Sequence, residues 1–327
     1  MRIPEKPRYA YACQKSAEFL LDSGSNTLPL NILHAAKKYK WALTPYSQLA
    51  AEHHVTIGEV CGAFQSYDGY TVFHSGNYCI AYNDSRQFIC NKKRIYFTLL
   101  HEFGHIYLHH FTDFDQTMLN RNGLSGREYQ VLEEEANCFA RNVAAPPTLI
   151  QHLQDYDINR LSELFNLSFT AAKTRLYTLH RDAKYFLPEQ NLNLSDRFDQ
   201  FLNGMECEQC GRYFVSPGSN FCVFCGSKRI RHSRQIKGLP AGIRLNADKQ
   251  AAKCVKCGNV QINPSDTHCR FCGTALYNDC APTVCDVNGA QLLQLPCSER
   301  THLDGYMRYC PYCGNETTFL QEHLLTT

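Results

Sequence analysis

Within the stretch Leu99–Leu108, LLHEFGHIYL, two histidines stand four residues apart around a glutamate. On an α-helix, positions i and i+4 differ by about 40° around the axis. His101 and His105 therefore face the same way, and both imidazoles can reach one ion. Zinc takes nitrogen ligands at about 2.0–2.1 Å in a tetrahedral arrangement. Glu102 lies beside such an ion rather than on it. From there it can take a proton from a water whose pKa the metal lowers from about 15.7 to about 7. HExxH on a helix is the pattern for this hydrolytic chemistry. The surrounding helix is apolar, where two unpartnered histidines and a glutamate would be costly. His105 and His109 repeat the spacing, but Ile106 stands where a base would be needed.

A third ligand must come from elsewhere. Continuation as HExxHxxGxxH is excluded, because Leu108 and Phe111 occupy the glycine and histidine positions. The later segment LEEEANCFA offers Glu133, Glu134 and Glu135. Glu133 and Asn137 share one helix face, so Glu133 is the expected ligand. Asn137 is then placed to hydrogen-bond a ligating histidine and fix its tautomer. Glu135 is the alternative ligand.

A second chemistry is written in cysteine. There are 18, and 13 of them follow residue 206. Cys207 and Cys210 precede Cys222 and Cys225, and Cys254, Cys257, Cys269 and Cys272 repeat the pattern at an offset of 47 residues. Gly211 matches Gly258, Pro217 matches Pro264, and Phe224 matches Phe271. This internal duplication resembles zinc ribbons: each CxxCG turn presents two thiolates to one ion, and four thiolates at about 2.3 Å close a structural site. A third module has one clear knuckle, Cys310 and Cys313. Cys280 and Cys285 are its expected partners, with Cys297 as the competitor. Disulfides are the alternative, and they fit a reducing compartment poorly. Cys13, Cys61, Cys79, Cys90 and Cys138 show no metal spacing and read as small buried hydrophobes.

The elements that position the first site are legible in outline. NILHAAKKYKWAL has apolar residues at helical spacing, and SQLAAEHH reads as a short helix. GYTVFHSGNYCIAYNDS reads as a hairpin turning at Ser75-Gly76-Asn77, with the second strand ended by Asn83-Asp84-Ser85. RIYFTLLHEFGHIYLHHF is a largely buried helix. EYQVLEEEANCFARNVAAPP is another, with a stripe of Leu132, Ala136, Phe139, Ala140 and Val143, stopped by Pro146-Pro147. Residues 158–186 have the shape of a helix-turn-helix, read here as a small helical bundle on the site-bearing part. The candidate edge for an extended substrate is Tyr78–Tyr82.

YCIAYND, FTLLHEFGHIYLH and EEEANCFARNVAAP, in this order and separation, resemble the ImmA/IrrE family of zinc metallopeptidases. The resemblance covers roughly residues 30–185. It places His101, His105 and Glu133 as metal ligands and Glu102 as general base. It implies a zincin-like fold and a regulatory protease that cuts a protein substrate, a transcriptional repressor in some members. NVAAPP departs from the family's leucine-rich LLMP and bears on packing near Pro146, not on the chemistry.

The expected fold class is therefore α+β: a minimal zincin-like metallopeptidase domain with a small sheet and a helical subdomain, followed by tandem zinc ribbons. The expected divisions are 1–186 for the metallopeptidase part, with 151–186 its helical, helix-turn-helix-like portion, 187–206 as linker, 207–226, 254–275 and 276–327 as ribbons, and 227–253 as a basic linker. The expected cofactor is zinc, one catalytic ion and two or three structural. A net charge of +2 gives no bulk argument for nucleic acid. Residues 228–253, with eight basic residues against one acidic, could track a phosphate backbone, and Tyr213 and Phe214 could stack on bases. No apolar run reaches the roughly 18 residues of a membrane span, and MRIPEKPRYAYACQ has no signal-peptide core. The expected location is the cytoplasm. The rival reading is a non-catalytic zinc-ribbon adaptor that binds protein or nucleic acid.

Overall fold

A computed structural model describes residues 2–85, 92–114, 124–153, 156–233, 235–287, 290–297 and 302–325. The chain divides into two compact units, Met1–Leu202 and Asn203–Thr327.

In the first unit, α1 (Tyr9–Ser23) leads to α2 (Ile32–Tyr39), β1 (Ala42–Pro45), α3 (Tyr46–His53) and α4 (Ile57–Phe64). The hairpin follows, β2 (Gly69–His74) and β3 (Asn77–Tyr82). Its turn residues Ser75 and Gly76 both have positive φ, 49° and 78°. Such a two-residue turn matches the natural twist of paired strands. β3 pairs antiparallel with β2 and parallel with β1, giving the order β1-β3-β2. The edge next to the site is thus β2. The segment Tyr78–Tyr82, expected as the edge, is the central strand, because β1 has returned to cover its other side.

Two long helices carry the site: α5 (Lys92–Tyr107) and, after the short α6 (His110–Asp113), α7 (Gly126–Ala144). Ser125 and Glu128 cap α7 reciprocally, each side chain meeting the other's backbone N–H. The helical remainder is α8 (Pro147–Gln151), α9 (Ile158–Leu164), α10 (Phe169–Ala183), α11 (Pro188–Arg197) and α12 (Asp199–Asn203). The turn between α9 and α10 passes through Asn166 at φ 53°, which gives the helix-turn-helix shape.

One apolar core joins these helices. Phe19 of α1 lies 6.1 Å from Phe103 and 5.3 Å from Phe139 between ring centroids, and Trp41 lies 4.8 Å from Phe103. Phe103 and Phe139 belong to the two site motifs, so the site's helices are locked together from behind. Residues 187–202 were expected as linker. They form helices instead, and Leu194, Phe198, Phe201 and Leu202 are buried in the same core. Pro188 is no breaker there, because it sits in the first turn, where its missing N–H costs nothing.

In the second unit, β4 (Gly204–Cys207) lies between β5 (Tyr213–Val215) and β6 (Ile230–His232). The hairpin β7 (Thr283–Val287) and β8 (Ala290–Gln294) and the short α13 (Thr318–Gln321) complete it. Among the described residues no helix is long and apolar enough to cross a membrane.

Candidate active site and metal centres

Close approach of α5 and α7 builds the first site. A β-carbon at Gly104 would lie 3.2 Å from the Cα of Ala136 and 3.1 Å from the Phe139 ring. Only small residues at this crossing let Glu133 reach the histidines. Gly69 does the same for the sheet: a β-carbon there would lie 2.7 Å from Thr98 and 3.6 Å from the Glu102 side chain. β2 is thereby pressed against the base.

His101, His105 and Glu133 meet. The two Nε2 atoms are 3.1 Å apart, and each lies 3.3 Å from a Glu133 oxygen. A tetrahedral ion with arms of about 2.0 Å has edges of about 3.3 Å, so the donor set fits zinc. The charges agree. Burial works against a charged His101, but Glu133 outweighs it and pushes the imidazole up to about 9. Burial likewise opposes a charged Glu133, yet the two imidazoles hold it far below the usual carboxylate range. The carboxylate is set to receive positive charge.

Hydrogen bonds select the tautomers. Asn137 Oδ1 stands 3.1 Å from His101 Nδ1, the support expected from its spacing. An amide oxygen only accepts, so His101 Nδ1 carries a proton, and Nε2 is the nitrogen turned toward the site, whose own proton an arriving ion would displace. His105 is held by a residue to which the sequence reading gave no role at the site. Its Nδ1 lies 2.9 Å from Nδ1 of His110, whose Nε2 lies 3.1 Å from Glu135 Oε2. Burial holds His110 down to about 4, so it is neutral. Its Nε2–H donates to Glu135, its Nδ1 accepts from His105, and Nε2 is the His105 nitrogen turned toward the site. Glu135, the alternative ligand, is thus committed to His110 and to Arg8, whose Nε and Nη2 donate to it at 3.0 and 2.8 Å. Glu134 accepts from the Tyr9 hydroxyl. The signal for His110 was the doubled histidine after the motif. His109 takes a left-handed conformation, φ 61°, and folds His110 back onto His105.

Glu102 is buried, and the Thr71 hydroxyl on β2 donates to its Oε2 at 2.6 Å. All four residues line one cavity of about 520 Å³, with Gly69, Tyr70 and Tyr129 also on its wall.

The cysteines of the second unit converge in three groups. Cys207 lies 3.7 Å from Cys225 and Cys210 3.7 Å from Cys222 between sulfurs. Cys254–Cys272 and Cys257–Cys269 are each 3.5 Å. These spacings far exceed a disulfide's roughly 2.05 Å and approach the edge of about 3.8 Å for a tetrahedron with arms of about 2.3 Å. All these thiols are free of disulfides. In five knuckles the glycine N–H returns to the first cysteine's carbonyl at 2.8–3.0 Å, and each such glycine has φ between 68° and 79°.

The third group contains Cys280, Cys297, Cys310 and Cys313, with Cys280–Cys313 at 3.4 Å and Cys297–Cys310 at 3.6 Å. Cys297, the competitor, takes the place expected for Cys285. The hairpin β7–β8 returns the chain, and the Asn315 amide then holds both arms, donating to Ala281 O at 3.2 Å and Leu295 O at 3.1 Å. Cys285 lies on β7, and its side chain is outside the described residues; so is Cys90.

Tyr213 and Phe214 are buried, not a stacking surface. Of the basic segment, Arg231 and Lys237 pair with Glu206 at 3.2 and 2.7 Å, and Lys249 pairs with Asp304.

Residues 62–177 match the peptidase M78 family, described as the IrrE N-terminal-like domain. That span holds β2, β3, α5 and α7, and bears out the resemblance carried by their motifs. No match to the chain is found among curated proteins or among solved structures.

Proposed function

We propose, from the IrrE N-terminal-like peptidase domain at residues 62–177, that the first unit is a zinc-dependent endopeptidase. The observation that carries this is the convergence of His101, His105 and Glu133 beside a Glu102 already oriented by Thr71. Zinc, when bound by those three residues, supplies Lewis-acid chemistry, lowering the pKa of water and polarising a carbonyl. Thr71 holds one oxygen of Glu102 and leaves the other to accept a proton from the attacking water. Glu102 then returns that proton to the leaving amine. β2 is the edge that a substrate strand would join through main-chain hydrogen bonds. Tyr70 and Tyr129, on the cavity wall, are the candidates to stabilise negative charge developing on the carbonyl oxygen.

The substrate is a protein, and the family resemblance favours a transcriptional repressor. The three cysteine tetrads each hold a structural zinc, and the second unit recruits the substrate or regulates the cut. Free thiols at this density suit a reducing compartment such as the cytoplasm.

Protein N-termini compared between cells expressing wild type and Glu102→Gln test this reading. Defined cuts should vanish in the variant, a loss of about 10²–10⁴ in rate, while its zinc content stays unchanged. Identical profiles under several stresses would remove the peptidase and leave the zinc-ribbon adaptor.

A further inference from the structure

A second cavity, of about 570 Å³, lies among α5, α7 and the start of α10. Four cations line it, Lys93, Arg94, Arg141 and Arg175, and among the described residues no carboxylate does. The carboxylates that pair with the arginines, Asp68 and Asp182, stand outside its wall. Arg175 is 1 % exposed, and its Nε and Nη2 have no hydrogen-bond partner. Buried guanidinium N–H groups without acceptors are rare in folded proteins, because each forfeits a bond it had with water. The first turn of α10, Phe169–Ala183, borders the same space through Thr170 and Ala171, with the Ala171 N–H donated to the capping Ser168 hydroxyl at 3.1 Å. Tyr96, Phe97, Leu167 and Ala171 give the wall an apolar part, and Asn137, Asn166, Ser168, Thr170 and Thr174 complete it.

We propose that this cavity binds a small molecule with one anionic oxygen-acid group, carboxylate or phosphate, on an apolar body. The anion meets the cationic wall of Lys93, Arg94, Arg141 and Arg175. The body lies against Tyr96, Phe97 and Leu167. The volume suits a ligand of metabolite size. The cavity also adjoins the candidate active site. Phe97 and Asn137 line both spaces, Asn137 bonds His101, and Arg94 is paired with Asp68 on the first cavity's wall. An occupant therefore touches the residue that sets the His101 tautomer, which makes the site suited to control of the first. Binding itself stands or falls independently of whether the first site hydrolyses peptides.

Calorimetric titration of the full zinc-loaded chain with phenyl phosphate, benzoate, benzamide and inorganic phosphate tests the proposal. Phenyl phosphate or benzoate should bind, and which of them binds tighter identifies the acid group. Arg94→Gln, a change at a half-exposed side chain, should weaken that binding about tenfold, as loss of a charged hydrogen bond does. Thr174→Trp, at the exposed rim, should block it. Neither substitution removes a buried group, so both chains should fold. Absence of binding by both aromatic acids overturns the proposal, as does binding unchanged in both variants. Equal affinity for benzamide and benzoate overturns the anionic requirement, and equal affinity for inorganic phosphate and phenyl phosphate overturns the apolar one.

Discussion

At the scale of single residues, the legible part of the site is the part that helix geometry dictates. His101, Glu102 and His105 follow from spacing on one helix, and Glu133 with Asn137 follows from spacing on another. Their meeting needed only the small pair Gly104 and Ala136 at the crossing. His110 was not legible, because its place depends on one left-handed residue, His109, which no periodicity announces. The chain His105–His110–Glu135–Arg8 nonetheless has a clear consequence. Partners of ligating histidines commonly contribute about 10–100-fold to metal affinity. His110→Ala should therefore lose the first-unit zinc at a chelator strength where wild type keeps it, while the cysteine-bound ions stay. Metal analysis after dialysis against graded chelators reads this out. If the variant retains its full zinc complement alongside wild type, His110 has no such role.

At the scale of elements, hydrophobic period and turn chemistry located the hairpin and the two site helices, since each is decided within a few neighbouring residues. Which strand forms the edge was not so decided: β1 reaches β3 only through a parallel, non-local pairing. The helices of 187–202 were obscured by polar composition, although Leu194, Phe198, Phe201 and Leu202 share a buried face. How α10 is fastened to α7 was equally hidden. Asp182, fully buried, accepts from Arg141 at 2.6 Å, Arg175 at 3.1 Å and Arg181 at 3.2 Å. Asp182→Asn strands the buried Arg175 and the partly buried Arg141 guanidinium groups and should cost about 3–5 kcal/mol. Burial alone would raise the Asp182 pKa, but the three arginines hold it below its ordinary 3.8. Its stabilising contribution is thus complete above pH 3.8 and disappears as pH falls through the lower folded value. The gap between wild type and variant in urea midpoint, followed by Trp41 emission, should be wide at neutral pH and narrow below that point. A gap that is independent of pH would mean that the carboxylate charge is not what holds the helices.

At the scale of the whole molecule, the two units are stabilised by different means. Met1–Leu202 has a large aromatic core, whereas the cysteine-rich unit has small clusters in which the thiols themselves are prominent. Ribbons of this size draw their folding energy from zinc. Strong chelation should therefore expose Asn203–Thr327 to proteolysis while leaving the first unit folded. Trp41, the only tryptophan and buried in the first unit, makes the separation visible: its emission should not change. A Trp41 transition that coincides with zinc loss would show one cooperative system instead. The same metal count decides the third ribbon. With the three cysteine tetrads and the His-His-Glu set each filled, the expected count is four ions per chain. Cys297→Ser breaks the tetrad held by Asn315 and should lower the count to three, with β7–β8 and the Cys310 knuckle becoming protease-sensitive. Cys285→Ser should leave four. The reverse result would return Cys285 to the tetrad, and four ions in both variants would mean that three thiols with an outside ligand suffice there.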